Sequence, residues 1–135
     1  WFLKAGLISI LNGSEEAAIS AYDKVIELNG SKMIDALITK GNILLNLGRY
    51  NESLDTIDKA IQLDPENPSV WYEKATYYNV LGKYNESLDA YEMITKLEPE
   101  KASSWLFKGN ALKALGRQTD ADAAYAKAKE LGHQE

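Results

Sequence analysis

The sequence predicts an all-α fold, a solenoid of about four stacked helical hairpins, and three observations carry that prediction. A segment returns at a 34-residue step: LGRYNESLD around Gly48 reappears as LGKYNESLD around Gly82, and LGRQTDADA around Gly116 keeps the same frame. A weaker copy, LNGSEEAAI around Gly13, stands one residue out of step. Within each period the apolar residues fall at helical spacing in two runs of about a dozen residues, joined by a short turn centred on glycine. Units of this length cannot bury an apolar face alone and complete one another's core by stacking. Function is therefore expected on a surface shared between repeats.

Taken in order, the pattern predicts eight helices near 2–12, 15–28, 33–47, 51–63, 68–81, 85–97, 102–115 and 118–131. The first, with Trp1, Phe2, Leu3, Leu7, Ile8, Ile10 and Leu11, is apolar over more than one face, so a further helix is expected to cover it. In the second hairpin Leu37, Gly41 and Leu44 line one face of the leading helix, and Leu54, Ile57, Ala60, Ile61 and Leu63 form the stripe of the following one. The third repeats this with Trp71, Ala75 and Tyr78, then Leu88, Tyr91, Ile94 and Leu97. Asp64-Pro65 and Glu98-Pro99 close two helices because proline cannot extend a helix and restrains the residue before it. Asn67-Pro68 opens the next as a cap and a first-turn proline. In the last hairpin Gln118 and Asp122 replace the Tyr and Leu of earlier units, as a finished edge would, and Gly132 ends the helix. A small residue recurs at Gly6, Gly41, Ala75 and Gly109, where two helix backbones are expected to approach closely. The chain reads as a single array, 1–135, with repeats at 1–32, 33–67, 68–101 and 102–135.

Composition removes several functions. Twenty acidic against fifteen basic residues leave a net charge of −5 without a concentrated basic patch, so nucleic acid is not an expected partner. No cysteine is present, which removes disulfides, thiolate nucleophiles and the usual zinc sites and fits a reducing, cytoplasmic setting. The longest apolar run, Leu7 to Leu11, is interrupted by Ser9 and is far shorter than the roughly 20 residues of a bilayer span, so no membrane association is expected. The chain begins at Trp1 rather than methionine and reads as a processed or excised piece.

With Trp71, Trp105, the Gly/Ala slot, the Leu-Gly turn, a Tyr two residues beyond it in two units and prolines at two unit ends, the whole chain resembles the tetratricopeptide repeat family. Departures are Phe2 and Leu37 in the tryptophan slot, Val25 and Ile94 in a small slot late in the second helix, and Gly30 and His133 where a closing proline is usual. The resemblance implies a right-handed superhelix whose leading helices line a concave groove for peptides or helices of partner proteins.

Spacing of i, i+4 assigns residues to that groove face: Lys4, Leu7 and Ile10; Asp35, Ile38, Thr39, Asn42 and Asn46; Ser69, Tyr72, Glu73, Thr76 and Asn79; Ser103, Leu106, Phe107, Asn110 and Lys113. Asn42, Asn79 and Asn110 can donate to and accept from a peptide backbone, and Tyr72, Leu106 and Phe107 can bury partner side chains. One use of the family is a clamp for acidic C-termini built from Lys, Arg and Asn. Lys40-Gly41-Asn42 and Lys108-Gly109-Asn110 resemble part of it, but Ile38, Thr39, Leu106 and Phe107 fill the other cation slots, so the clamp is read as absent.

Chemistry has no foothold. His133 sits beyond the last helix, and the acidic pairs Glu15/Glu16 and Asp120/Asp122 lie on faces expected to be solvated. No phosphate loop, nucleophile elbow or zinc spacing occurs. The Asn-X-Ser triplets at Asn51 and Asn85 are explained by helix capping. The reading is a non-catalytic interaction scaffold, with no cofactor or metal, that holds a partner peptide or helix in its groove. The alternative is a spacer that stacks or dimerises through Trp1, Phe2, Leu3, Leu7, Ile10 and Leu11 of its first helix.

Overall fold

A computed structural model describes residues 15–132, which form seven α-helices and no strand. In chain order they are α1 (Glu15–Glu27), α2 (Met33–Asn46), α3 (Tyr50–Leu63), α4 (Pro68–Val80), α5 (Tyr84–Leu97), α6 (Ala102–Ala114) and α7 (Gln118–Gly132). The helix expected over 2–12, with Gly6, and His133 lie outside the described residues. The described residues group into two compact units that divide between Pro65 and Glu66.

The repeated Leu-Gly turns close three helices in one way. Gly48, Gly82 and Gly116 have φ of +77°, +71° and +77°, the left-handed region that glycine enters without a Cβ clash. In each, the glycine N–H returns to a carbonyl three residues back: Gly48 to Leu45 (3.0 Å), Gly82 to Asn79 (3.1 Å) and Gly116 to Lys113 (3.0 Å). The next residue reaches five back: Arg49 to Leu44 (2.9 Å), Lys83 to Tyr78 (2.8 Å) and Arg117 to Leu112 (2.9 Å). These paired bonds satisfy carbonyls that the helix end leaves open. No atom lies within 4 Å of a Cβ built on Gly82, so the cost of Gly82→Ala is purely conformational, about 1–2 kcal/mol. Thermal melts should show that loss for Gly82→Ala and none for Gly30→Ala, which is equally open but not left-handed. At the end of α1 the left-handed residue is Asn29, with φ of +50°, rather than glycine.

Helix starts divide into two kinds. Asn67 caps α4 as its spacing suggests, its Oδ1 accepting from the Ser69 N–H at 3.0 Å with Pro68 at the first helical position. Asn51 and Asn85 do not cap: α3 and α5 already begin at Tyr50 and Tyr84, after Arg49 and Lys83. The glycine turn delivers the chain into the helix two residues earlier than a capping asparagine would.

In the first unit α2 lies between α1 and α3. Leu37, Leu44 and Ile57 are buried there, with Ala18, Ala21, Tyr22, Val25 and Ala36. Ser53, fully buried, donates to the Gly41 carbonyl at 2.6 Å and ties α3 to α2. Arg49 donates to Glu52 through Nε (3.0 Å) and Nη2 (2.7 Å) and to Glu16 through Nη1 (2.6 Å), joining the α2–α3 turn to the start of α1. Its guanidinium holds the Glu52 carboxyl below the usual carboxylate range.

In the second unit α4 pairs with α5, and α6 lies between α5 and α7. Its core joins Ala75, Leu88, Tyr91, Ile94, Leu112, Ala121 and Ala124, with Trp71, Phe107, Leu115 and Tyr125 at the margin. Two stripe assignments change. Leu63, at the last position of α3, is 48% exposed, and on α4 Tyr77 is buried whereas Tyr78 is only half-buried. Val70 and Tyr77 stand seven residues apart and so form a second buried stripe that a single-face reading leaves out. The small-residue slot also has a different cause from the expected backbone approach. A Cβ on Gly41 would stand 2.9 Å from Ile57 Cγ1, and one on Gly109 2.7 Å from Tyr125 Cε1. Side chains of the following helix fill the notch.

Candidate functional site

On α2 the expected groove residues differ in exposure: Ile38 and Thr39 are half-buried and Asn42 is exposed. The Thr39 hydroxyl donates back to the Asp35 carbonyl at 2.9 Å, so it presents lone pairs outward rather than a proton. Lys40 of the Lys-Gly-Asn triplet is held by Asp23 at 2.6 Å.

The second unit brings more of them together. Apolar residues surround α4 and α6 on all sides, whereas α3 keeps them to one face. Part of that surplus meets near the middle of α4 and α6. The rings of Tyr72 and Phe107 lie 5.2 Å apart at 58°, and Phe107 stacks on Tyr91 of α5 at 5.8 Å and 21°. Both distances fall in the range of favourable aromatic pairs. Tyr72 and Leu106 remain 40% and 45% exposed. Beside them opens a cleft of about 380 Å³ with an apolar lining of Tyr72, Ile94 and Phe107 and a polar one that includes Ser103, Glu98 and Lys101. Glu98 and Lys101 are paired at 3.5 Å.

A second cleft of this unit, about 260 Å³, is lined by Trp105, Lys108, Glu92, Arg117 and Asp120. Three of its polar side chains, Trp105, Lys108 and Arg117, are already engaged. Trp105 Nε1 donates to the Pro99 carbonyl at 2.9 Å, Lys108 Nζ lies 5.3 Å from the Trp105 ring, and Arg117 pairs with Asp120 at 2.9 Å.

The three asparagines turn out unequal. Asn79 donates to the Tyr91 hydroxyl at 2.9 Å and accepts from Ser87 Oγ at 2.6 Å. Its amide is spent inside the α4–α5 hairpin, because the buried Ser87 hydroxyl needs an acceptor there. Asn110 accepts from the Tyr125 hydroxyl at 2.7 Å, which leaves its amide N–H groups for a ligand, and Lys113 is exposed near the end of α6. Thr76, like Thr39, donates into its own helix, to the Tyr72 carbonyl at 3.0 Å. Tyr91 is the participant that sequence spacing missed. Its position in a core stripe conceals that the ring also supports Phe107.

Glu73, next to Tyr72 on α4, is half-buried and has no ion pair or hydrogen bond with another described residue. Burial pushes its carboxyl above the usual carboxylate range. A folded-state pKa above the unfolded one means that the native state holds the extra proton across that window, so stability falls as pH rises through it. Glu73→Gln is therefore expected to raise the melting temperature at neutral pH. The advantage should vanish below about pH 4, where the unfolded carboxyl is protonated too. Melting curves of both proteins across pH check this.

Lys4 and Leu7 of the groove set lie outside the described residues, as do Trp1, Phe2, Leu3, Ile10 and Leu11 of the expected assembly surface. Among the described residues no helix is long and apolar enough to cross a membrane.

Comparison with known proteins finds one repeat family along the chain. Sequence models of the tetratricopeptide repeat match residues 34–67, 56–89, and both 1–32 and 102–131. Among solved structures, MamA aligns over 98% of this chain and 77% of its own at 21% identity, with a TM-score of 0.80. The Sgt2 TPR domain from Aspergillus fumigatus aligns over 76% and 68% at 23% identity, TM-score 0.66. The first TPR of Spaghetti (RPAP3), solved with the HSP90 peptide SRMEEVD, aligns over 78% and 84% at 25% identity, TM-score 0.65. The 34-residue step, the glycine turns and the hairpins have one common explanation: this chain belongs to the tetratricopeptide repeat family.

Proposed function

We propose that this chain is a non-catalytic interaction module whose four repeats, 1–32, 33–67, 68–101 and 102–135, act as one array. It binds a peptide or helix of a partner protein along the groove face of its leading helices. The contacts come from Lys4, Leu7, Ile38, Thr39 and Asn42, and from Tyr72, Glu73, Thr76, Leu106, Phe107, Asn110 and Lys113. Asn79 acts there by holding Tyr91 rather than by touching the ligand.

The observation that carries this reading is the Tyr72–Phe107 pair, 5.2 Å apart and beside an open cleft of about 380 Å³. Aromatic side chains left partly exposed over a recess are the surface type that supplies most of the energy in peptide recognition. The peptide-bound RPAP3 domain supports the same use of the fold. Affinity is expected to be on the order of micromolar, about −8 kcal/mol.

A peptide selected from a display library against the intact chain tests the assignment. Phe107→Ala combined with Asn42→Ala should weaken its binding by roughly tenfold or more, since truncating a central aromatic anchor typically costs above about 1 kcal/mol. Unchanged affinity in a correctly folded double variant would rule the groove out.

A further inference from the structure

The groove face of the second unit carries information about what kind of peptide it takes. Its apolar element is the Tyr72–Phe107–Tyr91 stack beside the cleft. The next residue of α4, Glu73, which helical spacing assigns to the groove face, is a half-buried carboxylate that no cation among the described residues neutralises. Lys101 is paired with Glu98. Lys113 stands six residues beyond Phe107, roughly 9 Å further along α6. Two slots in which an acid-binding groove would place cations hold Leu106 and Phe107.

A carboxylate that has lost part of its hydration without gaining a partner is poorly stabilised in the free protein, and an incoming ammonium or guanidinium supplies the missing charge-assisted hydrogen bonds. The neighbouring Tyr72 ring, 40% exposed, offers a face over which the same cation is attracted. The chain's net charge of −5 favours encounter with a basic partner in the same sense.

The geometry points to a basic–apolar peptide as the occupant: a bulky apolar or aromatic side chain seated against Tyr72 and Phe107, with a lysine or arginine within a few residues that pairs with Glu73. This rests on the groove reading above and narrows it to one ligand chemistry. An acidic segment would meet Glu73 with like charge and is excluded from the same position.

A random peptide library displayed on phage and selected on the full chain supplies the probes, and fluorescence anisotropy of the enriched peptides supplies the readout. Enriched peptides should pair an apolar anchor with Lys or Arg. Glu73→Gln should weaken them by about tenfold, the scale of one charge-assisted contact. Peptides with the cation replaced by norleucine should bind wild type and Glu73→Gln equally. Glu73→Lys should recover affinity for a peptide whose cation is exchanged for glutamate. Glu73→Gln removes a charge that burial disfavours, so loss of folding does not confound the result.

If enriched peptides lack basic residues, or Glu73→Gln leaves basic peptides unaffected while Phe107→Ala still weakens them, the cation pairing is wrong and the groove stands. If no peptide is enriched, or Phe107→Ala changes nothing, the groove reading falls and this inference with it.

Discussion

Leu44→Ala is expected to lower the unfolding free energy by about 2–5 kcal/mol, the range for deleting a fully buried leucine side chain. Leu44 has no solvent exposure, and the buried side chains of its unit include Leu37 at 2% and Ile57 at 1%. The site is poorly able to collapse around the lost atoms. Ser53 ties α3 to the α2 backbone at Gly41, one turn before Leu44, which keeps the two helices from closing over the gap. The loss therefore combines the transfer term with a residual cavity. In a domain of this size it corresponds to a fall in melting temperature of roughly 10 °C. Leu44→Met conserves most of the volume and should cost under about 1.5 kcal/mol. Urea titrations followed by far-UV circular dichroism distinguish the two. Equal losses for Ala and Met would mean that shape rather than volume governs the position.

Gly109→Leu has the next largest expected effect, and two opposing terms decide its sign. Removing a glycine from a helix interior favours the helix by about 1 kcal/mol. Against this, even a Cβ would lie 2.7 Å from Cε1, 2.8 Å from Cδ1 and 3.2 Å from Cζ of Tyr125. Three consecutive ring atoms meet it, so the collision is with the body of a rigid ring and not with the tip of a flexible chain. The ring is also held at its far end by the hydrogen bond from its hydroxyl to Asn110. Overpacking of about 1–3 kcal/mol should outweigh the propensity gain and leave Gly109→Leu clearly destabilised. A smaller pair isolates the cause. Gly109→Ala should destabilise the wild-type chain and stabilise a Tyr125→Ala background by about 0.5–1 kcal/mol, a change of sign that only the ring contact explains.

These predictions draw on different levels of legibility. The seven described helices begin and end within one residue of the bounds that periodicity and punctuation suggest, because those signals are local: an apolar stripe, a proline, a glycine that alone accepts a positive φ. Gly41 and Gly109 were legible as a tight slot from their recurrence, but not the identity of what they meet. Ile57 and Tyr125 sit 16 residues further on in both cases, on the following helix, and only packing shows that they fill the notch. Asn51 and Asn85 illustrate the reverse. They have capping composition at a helix start, yet the glycine turn had already delivered the chain into the helix.

For the candidate site, the amino-acid order alone determined which residues share a helix face, since a 3.6-residue period turns sequence spacing directly into angular position. It thereby grouped Tyr72 with Thr76 and Asn79, and Leu106 with Asn110. Which of those side chains remain available was decided by tertiary structure. Helical spacing puts Asn79 and Asn110 on the same groove face, but Asn79 lies where Ser87 and Tyr91 both need it, and among the described residues Asn110 bonds the Tyr125 hydroxyl alone. The Tyr91–Phe107 stack and the half-burial of Glu73 belong to the same category. Periodicity specifies directions around one helix. Hydrogen-bond partners, ring contacts and desolvation depend on distances between helices, which are set only when the hairpins pack.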